Sequence, residues 1–325
     1  MAALAALALA GAACKGGGEA AITMDSTQLA MFGPLPETME SAANPVTDAK
    51  IELGRKLFFE TRLSMANDIS CNSCHHLEVF GADTGAVSVG HRGKLGGRNS
   101  PTVYNAAGHF AQFWDGRAAD VEAQALGPIL NPVEMAMPAE AEVVKRLKAD
   151  PEYARMFGAA FPAATDKISY DHMAEAIAAF ERTLKTSDRF DDFQKGDDRA
   201  LTDKELKGLR FFLEVGCTTC HVGPVIGAKS YQKMGLVNPY ENTHDVGRIK
   251  VTNDEDDQFK FKVPSLRNIA PTWPYFHDGR VAQLNEAVKR MAHLQLGKEF
   301  TADDLDLVLA FLNALSDKTR RALAR

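Results

Sequence analysis

Cys71-Asn72-Ser73-Cys74-His75 returns further along the chain as Cys217-Thr218-Thr219-Cys220-His221. Both read C-x-x-C-H, the signature of covalent c-type haem attachment. The spacing has a geometric reason. On one helical turn, positions i, i+3 and i+4 share a face, so two thiols meet the two vinyl edges of a porphyrin while the histidine sits beneath the iron as proximal ligand. A zinc site wants four closed ligands, and each cluster supplies three unless the two combine. A redox dithiol has no need of the following histidine twice. Of the five cysteines only Cys14 lies outside the motifs, so two covalently bound haem c groups are expected.

The resemblance between the halves extends beyond the cysteines. Leu53-Gly54-Arg55-Lys56-Leu57-Phe58-Phe59 precedes the first motif and Gly208-Leu209-Arg210-Phe211-Phe212 the second. Downstream, Pro101, Asn105 and Phe113-Trp114-Asp115-Gly116-Arg117 are matched at equal spacing by Pro264, Asn268 and Phe276-His277-Asp278-Gly279-Arg280. Equal spacing in two haem-bearing halves implies a duplicated domain and not a solenoid, which needs more copies. The polar stretch from Ser187 to Arg199 reads as the linker. The expected organisation is a signal segment over 1–18, a first haem domain over 19–195 and a second over 196–325.

The chain has 325 residues, 45% apolar and 25% charged, and a net charge of −6. That is the profile of a globular protein. The acidic balance excludes nucleic acid as the main partner, because phosphate binding wants a basic face. Ala2 to Ala13 are small and apolar and lead into Cys14-Lys15 and three glycines, the pattern of an export signal and so of a periplasmic protein. Cys14 after small residues hints at a lipid anchor, although Gly11 stands where a leucine is usual and no basic stretch opens the segment.

Periodicity predicts an all-α class, two mostly helical haem domains of cytochrome c type with long loops. Helices are expected over Ala139 to Lys148, stopped before Asp150-Pro151, and over Tyr170 to Leu184. Thr202 with Glu205 and Thr301 with Asp304 mark two further helix starts. Each iron then needs a sixth ligand or a vacancy. His76, His91, His109, His172, His244, His277, His293 and the internal methionines are the candidates. His91 stands out because it sits in a glycine-rich loop from Gly81 to Gly97, where the backbone is permissive. Met291, read by itself, is a core methionine on a helix.

Taken together, the two motifs, the glycine-rich histidine loop, Ala111 to Arg117, Val133-Glu134-Met135 and Pro274 to Gly279 resemble the bacterial dihaem cytochrome c peroxidase family, from about Asn44 to the C-terminus. The resemblance implies that the haem on Cys71, Cys74 and His75 is the low-potential peroxidatic centre, with His91 as its removable distal ligand. It implies that the haem on Cys217, Cys220 and His221 is the high-potential electron-transfer centre, with Met291 as axial ligand. Gln124 and Glu134 match the distal-pocket pair, and Trp114 matches the tryptophan between the haems. Asn99, Thr272 and Pro274 match an interdomain calcium site, the last two through backbone carbonyls, and oxygen donors suit that hard cation. The acidic run Asp254 to Asp257 is a rival calcium site that reads better as a solvated loop. A small cytochrome c or cupredoxin donor, hydrogen peroxide as substrate and a homodimer complete the implications.

Reducing peroxide to two waters takes two electrons and two protons, and methionine ligation raises a haem's potential, so the second centre is expected to fill first. Its reduction would release His91, a two-state lid, and Glu134 would move a proton from the inner to the outer peroxide oxygen while Gln124 orients the molecule. Two other readings stand beside this one. A dihaem electron carrier keeps both motifs but leaves Glu134 and Gln124 without a task. A related dihaem oxidase that modifies a partner protein would place a tyrosine where Met291 stands.

Overall fold

The computed structural model describes residues 24–319; the expected export segment and Cys14 lie outside the described residues. The chain is mostly helical. Its α-helices are α1 (Ser26–Leu29), α2 (Asp48–Phe58), α3 (Val121–Leu130), α4 (Glu140–Lys148), α5 (Pro151–Ala160), α6 (Tyr170–Glu181), α7 (Arg189–Gln194), α8 (Asp203–Val215), α9 (Ile249–Thr252), α10 (Leu284–Met291) and α11 (Ala302–Ala314). Two three-residue strands, β1 (Tyr231–Lys233) and β2 (Lys260–Lys262), pair antiparallel with Tyr231 opposite Lys262. Among the described residues no helix is long and apolar enough to cross a membrane.

The helix starts follow from capping chemistry. Thr202 and Glu205 satisfy each other's backbone N–H groups at the head of α8, and Thr301 and Asp304 do so at the head of α11. Ala139 stands at the cap of α4 without a side-chain bond. Asp150-Pro151, expected only to stop a helix, also starts one: Asp150 accepts from the Glu152 N–H and Pro151 takes the first position of α5, where its missing donor costs nothing. Helix α6 ends at Glu181, short of Leu184, whose carbonyl instead accepts from the Asn105 N–H at 2.7 Å.

Two helix pairs organise two cores. Helix α2 crosses α6 at Gly54, where a Cβ would fall 1.8 Å from the Ala176 carbonyl oxygen. Helix α8 crosses α11 at Gly208, where a Cβ would fall 2.1 Å from the Leu307 carbonyl oxygen. Phe180 and Phe311 come next against the respective glycines, so the same contact is made twice with different residues. Leu53, Leu57, Phe58, Tyr153, Phe157 and Met173 fill the first core. Leu209, Phe212, Phe311 and Leu312 fill the second, together with Phe190 and Phe32. Residues around Phe32, counted with the first domain on sequence order, thus pack on the second core. Phe32 meets the Phe190 ring edge-on at 5.3 Å, and Phe190 meets Phe311 at 5.5 Å. An aromatic cluster buries more apolar area than a solvent-facing segment does, and that outweighs proximity along the chain.

Candidate haem cavity and its surroundings

Both C-x-x-C-H motifs form short 3₁₀ turns, Cys71–Ser73 and Cys217–Thr219. In each, the histidine N–H closes onto the first cysteine's carbonyl at 3.0 Å, His75 on Cys71 and His221 on Cys217, and in the first motif all three residues line one cavity. The His75 Nδ1 lies 3.1 Å from the Pro101 carbonyl, and the His221 Nδ1 lies 3.4 Å from the Ile226 carbonyl. A histidine so anchored by Nδ1 is oriented to offer Nε2 to a metal. Burial lowers the pKa of His75 and pushes His221 down to about 4, so both rings are neutral donors. Gly227 permits the second arrangement, since a Cβ there would lie 2.1 Å from the Pro264 oxygen and 3.3 Å from the His221 Nδ1. Burial pushes the Cys71 and Cys217 thiols up to about 12, opposite to the depressed values of redox dithiols.

Cys71, Cys74 and His75 line a cavity of about 740 Å³ whose wall also holds Gln124, Glu134, Trp114 and, from the second half, Asp245 and Arg280. Its size and mixed lining suit a large planar cofactor. Glu134 receives a hydrogen bond from Asn131 Nδ2 at 2.9 Å. Burial raises the pKa of its carboxyl, against the opposing pull of Arg117 and of that hydrogen bond. Gln124 comes from α3, held at its start by Asp120, which accepts from the Ala123 N–H at 2.8 Å.

His91 is buried, with Nδ1 lacking a hydrogen-bond partner, and its side chain is not part of the cavity wall, although the neighbouring Gly90 is. Its N–H donates to the Val133 and Glu134 carbonyls at 3.1 and 2.8 Å. Arg92 and Gly93 take left-handed φ values of 55° and 75°, so the loop turns sharply just after the histidine. Met291 is the last residue of α10, half-buried, and leads into a π-helical turn, Ala292–Leu296. Such turns re-aim side chains and are frequent at functional positions.

Trp114 sits between the halves. Its Nε1 donates to the Asn99 carbonyl at 2.9 Å, its own carbonyl accepts from the Lys262 N–H at 2.7 Å, and its ring lies 6.3 Å from that of His277. Arg98 reinforces the junction by bridging Asp115 and Asp245 at 2.7 and 2.6 Å. Asn99 is buried and spends its side-chain N–H groups on the Gly85 and Ala86 carbonyls at 3.2 and 3.3 Å, leaving Oδ1 to accept. The Thr272 hydroxyl donates to the Asn268 carbonyl at 2.9 Å, so its backbone carbonyl is the oxygen left over. The rival run from Asp254 to Asp256 is exposed and caps its own turn.

Three of the other candidate histidines have structural partners, while His244 lines the cavity. His172 stacks on Phe161 at 4.2 Å, His277 stacks on Phe261 at 4.0 Å, and His293 bonds Glu299 at 2.6 Å. Several cavity residues escaped the sequence reading, Glu181 among them. Glu181, 5% exposed, lines the cavity, and burial together with the Glu122 carboxylate pushes its pKa up to about 8 against the pull of Arg182. Its only signal in the sequence is a charge closing the apolar run Ala176 to Phe180.

The family profile described as di-haem cytochrome c peroxidase matches residues 48–199. A cytochrome c551 peroxidase of Pseudomonas aeruginosa is 45% identical over 90% of this chain and 86% of its own. A second protein of that name, from Nitrosomonas europaea, is 45% identical over 85% of this chain and 82% of its own. Among solved structures, a MauG-like protein associated with microbial copper homeostasis superposes with a TM-score of 0.79 at 31% identity, over 88% of this chain and 94% of that one.

Proposed function

Because this chain belongs to the di-haem cytochrome c peroxidase family and works as a peroxidase, we propose the following division of labour among its residues. Two duplicated haem domains of cytochrome c type meet around Trp114. Cys71, Cys74 and His75 hold the low-potential peroxidatic haem, and Cys217, Cys220, His221 and Met291 hold the high-potential one. When bound, the two haems supply the two electrons that the reduction of hydrogen peroxide to two waters consumes.

The chain's own groups do the rest. Glu134 takes the proton from the inner peroxide oxygen and hands it to the outer one, which leaves as water; both protons of the second water come from solvent. Gln124 orients the peroxide beside it. Trp114 fills the junction between the halves, where its ring sits beside His277. His91 would be the removable ligand of the first haem, carried on a loop that would withdraw once the second centre had been reduced. The observation that carries this reading is that Glu134, with its raised carboxyl pKa, and Gln124 share a cavity wall with His75. A permanently six-coordinate electron carrier has no use for that pair.

A calcium ion held by Asn99 and by the Thr272 and Pro274 carbonyls ties the halves together, an all-oxygen set that suits it. The electron donor is a small cytochrome c or cupredoxin, the protein acts in the periplasm after export and works as a homodimer. A stepwise reductive titration followed by electron paramagnetic resonance, with peroxide added at the half-reduced stage, tests the reading. The expected result is loss of the six-coordinate low-spin signal of the first haem and rapid peroxide consumption. A first haem that stays low-spin while turnover proceeds would remove His91 from its role.

A further inference from the structure

The internal repeat extends to the junction between the halves. The offset that carries Pro101 onto Pro264 also carries Asn99 onto Lys262, His109 onto Thr272 and Trp114 onto His277. The backbone obeys it. The Asn99 N–H donates to the His277 carbonyl at 2.8 Å, and the Lys262 N–H donates to the Trp114 carbonyl at 2.7 Å. Asn105 and Asn268, related in the same way, have φ values of 62° and 60° and donate to the Leu184 and Leu315 carbonyls at 2.7 and 2.9 Å. His109 and Thr272 each close a turn, onto the Ala106 and Ile269 carbonyls. Two junctions are thus built alike.

They differ in what stands inside them. One offers oxygen: Asn99 with the carbonyls of Thr272 and Pro274. At the other, Lys262 and His109 occupy the positions of Asn99 and Thr272. The Lys262 residue is only 6% exposed, and its Nζ lies 3.2 Å from the His109 Nδ1. No carboxylate pairs with that ammonium among the described residues. The His109 Nε2 is buried without a partner, and burial with the charges of Lys262 and Lys229 holds the ring neutral. A neutral imidazole is an acceptor for a desolvated ammonium, which otherwise has lost its water for nothing.

We infer that the Lys262 ammonium, seated on His109, is a resident cation that holds this junction as a divalent ion holds the junction of Asn99, Thr272 and Pro274. The comparison rests on the calcium reading above; the clamp itself does not. The contact at Trp114 is therefore closed by the chain's own charge. The opposite junction, whose Asn99 also fastens Gly85 and Ala86 ahead of the His91 loop, answers to an external cation.

Two measurements on the haem-loaded protein test this. In Lys262→Met, which keeps the stem and removes the charge, hydrogen exchange at the position-262 amide should quicken by about tenfold or more, as expected of a locally opened contact. Lys262→Arg should keep it slow. Unchanged protection in the methionine variant overturns the clamp. In His109→Thr with Lys262→Asn, calcium titration by calorimetry should find two ions per chain where the wild type binds one, and a single ion in both overturns the equivalence. If the wild type binds none, the calcium reading fails by itself, and the methionine and arginine variants alone decide the clamp.

Discussion

His91 hangs on Glu134: its backbone N–H donates to the Glu134 carbonyl at 2.8 Å. The loop that carries one candidate iron ligand is thereby fastened to the residue that carries the candidate proton shuttle. Any excursion of the loop must break that bond or drag the Glu134 backbone with it. On the mechanism proposed above, distal opening and placement of the acid would be one mechanical event.

Gly90 makes this fastening possible, because a Cβ there would lie 2.0 Å from the Val133 oxygen and 2.9 Å from the Glu134 Cα. Gly90→Ala should push the loop away at a cost of about 1–3 kcal/mol, typical of overpacking. Thermal unfolding should register the loss, and peroxide turnover should fall with haem content intact. Wild-type stability and turnover would contradict the coupling.

Glu134→Gln should leave both haem spectra unchanged and lower turnover by roughly 10²–10⁴-fold, the usual worth of general acid–base help. Burial raises the pKa of this carboxyl, so the acid limb of the pH–rate profile should lie above the ordinary glutamate range and vanish in the variant. Near-normal peroxide consumption would exclude Glu134 from the mechanism.

Glu181 sets a pH dependence of stability. A carboxyl whose pKa is raised in the folded state holds its proton more tightly there than in the unfolded chain. Its contribution is complete below the ordinary value of 4.5 and is lost as pH rises towards about 8, at no more than roughly 1.4 kcal/mol per pH unit. Glu181→Gln should flatten that decline in denaturant titrations between these limits. A slope equal to the wild type's would show that the carboxyl ionises normally.

Arg267 is 1% exposed and pairs with Asp188 and Asp191 at 2.5 and 2.7 Å. Arg267→Ala would strand two buried carboxylates, and breaking a buried pair in this way typically costs about 3–5 kcal/mol. Chemical unfolding of the second half should show it, with the first half's core transition little changed. An effect below about 1 kcal/mol, the level of a surface pair, would mean that water reaches the site.

What could be read along the chain was whatever is written in short spacing. The C-x-x-C-H motifs, the capping pairs Thr202–Glu205 and Thr301–Asp304, and the register that relates Pro101 to Pro264 are all local or periodic signals. Each depends on a few neighbouring dihedrals, so residue order encodes it directly. Asp150-Pro151 was half legible, because a proline that ends one helix is equally suited to begin another.

The rest required distant segments to meet. Residue order does not show that Phe32 completes the second core, that Glu181 faces the first cavity, or that Lys262 stands at the position of Asn99 with its ammonium on His109. Local chemistry permits many such encounters. The folded chain selects among them by filling space at the helix crossings of Gly54 and Gly208 and by leaving few buried polar groups without partners. Haem attachment and the repeat are therefore properties of the sequence, whereas the shared cavity, the tether between His91 and Glu134 and the two unlike junctions belong to the packed molecule.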